Sequence, residues 1–262
     1  MISDMVATDE STGRIKDSAV GYVLSSSTAR QEEVALAGHR ARSSDGRLAR
    51  AALCDTDPKV RATALGALAR MKGLELDDLV GALADPDPHV RSRACAISIF
   101  MPYHRELATA LLSTLSDSDD GAALAAASAT GEMLGALRDE ADQQREIQMS
   151  KAPISSFVAG QADLASALVD ALIKMSSSHK NPLCREAAIA ALGSAGDDRG
   201  LPAILRGMED RPAVRRRATI ALASFAGERV EEALRAALED RDWQVRSAAE
   251  ELLHITSDTS LD

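Results

Sequence analysis

Apolar positions recur every three or four residues through most of the chain, the spacing that lays a single stripe along an α-helix. One such stripe is Val60, Ala64, Leu65 and Leu68, and the next is Leu76, Leu79, Val80 and Leu83. Later stripes are Leu107, Leu111 and Leu115, then Leu201, Ile204 and Leu205, then Val230, Leu234 and Leu238. The polar breaks between them carry helix-starting chemistry. An Asp or Asn before a Pro caps free N–H groups, and Pro fits the first helical position. Gly196 suits a left-handed helix end, and Asp197 or Asp198 opens the helix that follows. Helices joined by short turns are predicted nearly throughout.

The breaks are copies of one another. Asp57-Pro58-Lys59-Val60-Arg61 returns as Asp87-Pro88-His89-Val90-Arg91 and as Asn181-Pro182-Leu183-Cys184-Arg185. Two further copies are Arg211-Pro212-Ala213-Val214-Arg215 and Asp242-Trp243-Gln244-Val245-Arg246. From Pro58 the steps are 30 residues to Pro88, 94 to Pro182, 30 to Pro212 and 31 to Trp243, so the period is near 30. Each period holds two helices, which cannot bury both of their stripes alone but can do so against neighbours. A partial first copy runs from Gln31 to Arg42 and from Arg47 to Cys54 and reads as a cap. Residues 1–28 show little periodicity and are expected to form a partly disordered N-terminal arm.

The long step contains an irregular copy. Asp117-Ser118-Asp119-Asp120-Gly121 occupies its start without a Pro, and Ala123 stands where Arg is due. A helix over Ala122–Leu137 is expected to contain Gly131 and Gly135, to be followed by a polar stretch from Arg138 to Ser150, and the next helix is placed at Ala162–Met175. Residues 138–161 thus read as an insertion, either a tolerated surface excursion or a contact element beside a groove.

The Asp-x-Asp-Pro-x-Val-Arg-x-x-Ala block and the Gly-Asp-x-Arg-x-Leu-Pro turn resemble HEAT repeats, in particular the short subtype named after phycobilisome lyases. The resemblance covers about residues 30–255. It implies an all-α fold: a right-handed α-α superhelix, or α-solenoid, of about six hairpins, with residues 29–262 as a single solenoid. It also implies that each Arg of the block pairs with an Asp of an adjacent turn. The expected ladder comprises Asp57, Arg61, Asp87, Arg91, Arg185, Arg215 and Arg246. A row of guanidinium groups could otherwise hold a phosphate or carboxylate ligand.

Composition narrows the functions. Hydrophobic residues make up 45% but aromatic ones only 2%, which favours close-packed aliphatic helices over a β-sandwich or barrel. The net charge of −10 argues against broad binding to nucleic acid or anionic membrane. The first ten residues are acidic and lack an apolar run, so no secretory leader is expected. Cys54, Cys95 and Cys184 form no Cys-x-x-Cys pair and fit reduced thiols in a cytoplasm.

Candidate chemistry is sparse. His39, His89, His104, His179 and His254 are scattered and none precedes Glu, whereas the HEAT-like deoxyhypusine hydroxylases build a di-iron centre from His-Glu pairs. His104-Arg105-Glu106 resembles half of a zinc-deaminase signature, without its Pro-Cys-x-x-Cys half. Nucleotide-binding glycine loops and the familiar hydrolase strings are missing from the sequence. Cys184 stands at a Val position and reads as a small core residue, and Cys54 and Cys95 lie in apolar contexts. Paired acids such as Asp77-Asp78 and Glu231-Glu232 open second helices, where the macrodipole favours them. Trp243 is either a partner contact or a cover for the end of the core.

The expected function is therefore a non-enzymatic scaffold that binds protein or peptide, with basic segments as complement to the acidic chain; no catalytic residue, cofactor or metal is assigned. A phycobilin-lyase-like or other cofactor-handling role is the alternative that the resemblance offers. A DNA-binding solenoid comes third, with Arg215-Arg216-Arg217 and the segment from His39 to Arg50 as its basic spots.

Overall fold

The computed structural model describes residues 26–40, 43–148 and 159–259. It is all-α, with thirteen helices and no strand among the described residues. In chain order they are α1 (Ser27–Arg40), α2 (Ser43–Ala51), α3 (Pro58–Arg70), α4 (Leu76–Leu83), α5 (Pro88–Ser98), α6 (Arg105–Thr114) and α7 (Asp120–Gln148). There follow α8 (Ala159–Ser178), α9 (Pro182–Ala195), α10 (Leu201–Gly207), α11 (Pro212–Ala221), α12 (Glu228–Ala237) and α13 (Trp243–Thr259). The chain divides into two compact units, residues 1–78 and 79–262. The expected arm lies outside the described residues as far as residue 25, and α1 already begins at Ser27.

The helix starts follow the predicted chemistry. Asp57, Asp87 and Asn181 each accept the N–H two residues on, at 2.8–2.9 Å, and each is followed by Pro. Gly196 ends α9 with φ 60° and ψ 24°, a left-handed cap that glycine adopts without a Cβ clash. Asp197 then caps the short turn Asp198–Gly200 that leads into α10.

In the first unit α1 packs on α3, with α2 against both. Val34, Ala49, Ala52, Val60, Ala64, Ala67 and Leu68 form its core. In the second unit the first helices of successive copies stand side by side: α5 on α7, α7 on α9, α9 on α11 and α11 on α13. The second helices make a parallel layer in which α6 meets α8 and α8 meets α10. Leu107, Leu111, Leu168, Leu172, Ile189, Leu192 and Ile204 fill the space between the layers with at most 1% exposure. Each such leucine contributes about 1.5–3 kcal/mol relative to exposure.

The irregular copy departs from expectation at one element. The polar stretch from Arg138 onward continues α7 as one helix to Gln148, and α8 begins at Ala159. Glu, Gln, Arg and Ala favour helix through their own backbone preferences, so the helix outlasts its apolar stripe. Residues 149–158, the middle of the expected insertion, lie outside the described residues.

Candidate functional site

The polar chemistry of the repeat converges on the turn that opens each first helix. Arg91 donates from Nε and Nη2 to Asp117 Oδ2 and Oδ1 at 2.6 and 2.8 Å, and from Nη1 to the Asp85 carbonyl at 2.7 Å. Arg185 does the same with Asp210 at 2.6 and 2.7 Å and with the His179 carbonyl at 2.8 Å. Arg215 grips Asp240 at 2.8 Å through both nitrogens. Such two-pronged pairs fix orientation as well as charge. Each joins a first helix to the turn before the next one, 25 or 26 positions along the chain.

The acids in these rungs differ from the expected ones. Asp57 and Asp87 spend their side chains capping their own helices. The guanidinium instead meets the acid two residues before the cap position at Asp117 and Asp240, and the acid one residue before it at Asp210. That carboxylate also accepts a backbone N–H from its own turn, as Asp117 does from Asp119 at 2.9 Å. Arg61 donates to the Asp55 and Thr56 carbonyls and Arg246 to the Asp240 carbonyl, the same inner half of the arrangement. Arg30, absent from the expected series, pairs with Asp55 at 2.7 and 2.9 Å. Ser26 accepts the Ala29 N–H at 3.2 Å, placing Arg30 four residues after a cap position, as are Arg61, Arg91, Arg185, Arg215 and Arg246. That Ser-x-x-x-Arg spacing was the available signal.

Electrostatics follow from these contacts. Arg91 beside Asp117 holds that carboxyl below the usual range against the opposing effect of burial. Arg185 does so for Asp210 and Arg215 for Asp240. Asp57 is lowered by its hydrogen bonds with Ser27 and the Lys59 N–H. Burial pushes the Cys95 thiol up to about 12. Cys184 is also raised, by burial first and then by Asp120 and Asp119. Cys54, in contrast to its expected apolar setting, is exposed.

The basic spot Arg215–Arg217 has internal partners: Arg215 holds Asp240, Arg216 reaches Gln244 at 3.3 Å and Arg217 approaches Glu186 at 3.5 Å. Arg199 of the Gly-Asp-x-Arg turn ties Asp197 to Asp170 and Ser166 of α8. Large apolar side chains remain outside: Phe100 is 80% exposed, Trp243 66% and Leu183 55%.

Histidine placement is uneven. His39, His89 and His254 are exposed, and His104 is half-buried. His179, expected to be one more scattered surface histidine, is half-buried and stands 3.8 Å from Asp120 Oδ1 through Nε2. Buried Cys184 donates its thiol to the Asp120 carbonyl at 3.4 Å. One ligand atom each from Asp120, His179 and Cys184 lie within 4.8 Å of one another, a grouping that sequence spacing hides. A cleft of about 370 Å³ adjoins it, lined by Asp117, Asp120, Lys174, His179 and Lys180 among others.

Comparison with known proteins agrees with this geometry. The profile of HEAT repeats matches residues 47–131, and that of the PBS lyase HEAT-like repeat matches residues 185–210 and 214–240. No curated protein matches the chain in sequence. Among solved structures, the Escherichia coli protein YibA superposes with a TM-score of 0.54 at 13% identity, over 98% of this chain and 79% of that one. A designed armadillo repeat protein, YIII(Dq)4CqI, gives 0.50 at 16% identity over 80% and 98%. An engineered protein gives 0.50 at 19% identity over 80% and 95%. At these identities the likeness is one of fold. None of the helices among the described residues is long and apolar enough to cross a membrane.

Proposed function

We propose, from the premise that the chain belongs to the HEAT-repeat family, that it is a non-enzymatic protein-binding scaffold. One observation carries the reading. The recurring arginines are engaged within the repeats, while Phe100, Leu183 and Trp243 stand in solvent. Arginines held this way are withdrawn from ligands, whereas an exposed aromatic on a rigid helix start is the kind of group that anchors a partner. Stacked helical hairpins present extended surfaces that take peptides or helices of other proteins. The net charge of −10 favours a partner with basic segments, and three thiols without a paired motif suit a cytoplasm.

The test uses the purified chain and its Trp243→Ala variant as baits at low and high salt. The wild type is expected to retain a protein that rising salt releases, and the variant to lose about tenfold or more of that recovery. Recovery of nothing above background by the wild type at low salt would contradict the reading.

A further inference from the structure

The copies align on their helix starts, and one rung breaks the rule at four positions. Asp120 stands where Pro58, Pro88, Pro182 and Pro212 stand. Ala123 replaces the arginine of the series Arg61, Arg91, Arg185, Arg215 and Arg246. His179 replaces the rung acid, because its carbonyl receives Arg185 as the Asp85 carbonyl receives Arg91. Cys184 replaces the valine of Val60, Val90, Val214 and Val245. The pair that would fasten α7 to the turn before α9 has therefore lost both its cation and its anion. Three of the four replacements are metal-binding residue types, and those three meet although Asp120 lies about sixty residues before the other two.

We propose that Asp120, His179 and Cys184 form a zinc-type site for a divalent transition metal, with three protein ligands and one open position. Ligand bonds of about 2.0–2.3 Å place neighbouring ligand atoms on a tetrahedral ion about 3.5 Å apart. His179 Nε2 and Asp120 Oδ1 stand 3.8 Å apart, close to that separation. The full triad spans up to 4.8 Å and closes with side-chain shifts of about an ångström. A sulfur, an imidazole nitrogen and a carboxylate oxygen select a borderline ion over magnesium or calcium, which take oxygen. The adjoining cleft leaves room for a water or a small ligand as the fourth group.

Loading requires a change of tautomer at His179. His179 Nδ1 accepts the Asn181 N–H at 3.2 Å, so Nε2 carries the proton in the metal-free ring. On loading, that proton passes through solvent to Nδ1, the Asn181 contact is given up, and the Cys184 thiol proton leaves to buffer. Two electron pairs, on Nε2 and Sγ, join that of the carboxylate on the ion, and no oxidant or reductant is needed. The site is independent of the scaffold reading.

The experiment takes the full chain after chelation and adds zinc alone, followed by calorimetry, and cobalt alone, followed by absorbance. The wild type is expected to bind one ion per chain and to show a thiolate-to-cobalt charge-transfer band. Cys184→Val restores the residue of the other copies and is expected to lose the band and at least about 100-fold in zinc affinity. The double change Ala123→Arg with His179→Asp writes in a regular rung, and is expected to keep the wild-type melting temperature in chelator while losing zinc. The absence of zinc binding by wild type, or affinity unchanged in these variants, would overturn the proposal.

Discussion

At the scale of single residues, the difference between two aspartates in one turn decides the chemistry. In Asp-x-Asp-Pro the second carboxylate lies beside the free N–H groups of its own helix and caps them, as Asp87 does with His89. The first projects to where a guanidinium arrives from the preceding copy, as Asp55 receives Arg30 and, in the turn without Pro, Asp117 receives Arg91. Both halves of that rung are mostly shielded, with side-chain exposures of 15% and 9%. Because folding lowers the carboxyl pKa of Asp117, Asp210 and Asp240, their contribution is fully present above the unfolded value of about 3.9 and is lost as pH falls through the lower folded values. The urea midpoint is therefore expected to stay level above about pH 5 and to fall below about pH 4. Arg185→Ala removes the group that holds Asp210 down, so its decline should be shallower. Acid curves that run parallel in the two proteins would deny Arg185 that role.

At the scale of elements, close approach between first helices explains glycines that look misplaced in the sequence. A Cβ on Gly131 would lie 2.7 Å from Ala191 Cα across the α7–α9 contact, and one on Gly193 2.8 Å from Ala221 Cβ across α9–α11. Gly131→Ala should improve helix propensity yet lower stability by about 1–3 kcal/mol, because backbone rather than a flexible tip must give way. A denaturant midpoint equal to or above that of wild type would show that the helices can part at no cost.

The helices were legible in the sequence because Asp-Pro starts and three-four apolar spacing repeat in register. The extension of α7 through Arg138–Gln148 was not, because it is helical by propensity after its apolar stripe has ended. The arginines were legible as a series, but the sequence points to the acid two residues after the one that pairs, Asp57 rather than Asp55, since it does not tell a cap from a rung within Asp-x-Asp. The grouping of Asp120, His179 and Cys184 depends on two copies meeting in space, and it becomes visible only when departures from the repeat are aligned together.

At the scale of the molecule, a repeat protein is held by interfaces between neighbours, so its stability is a sum of local couplings. The central claim is that the recurring arginine fastens one copy to the next and is not reserved for a ligand. A double-mutant cycle across Arg91 and Asp117, followed by urea unfolding, tests it most directly. Arg91→Ala alone should cost about 3–5 kcal/mol because it strands a shielded carboxylate. Asp117→Ala should also be costly, and the pair together should cost less than the sum by at least about 1.5 kcal/mol. Additivity within about 0.5 kcal/mol, with Arg91→Ala unfolding at the wild-type urea concentration, would contradict the account.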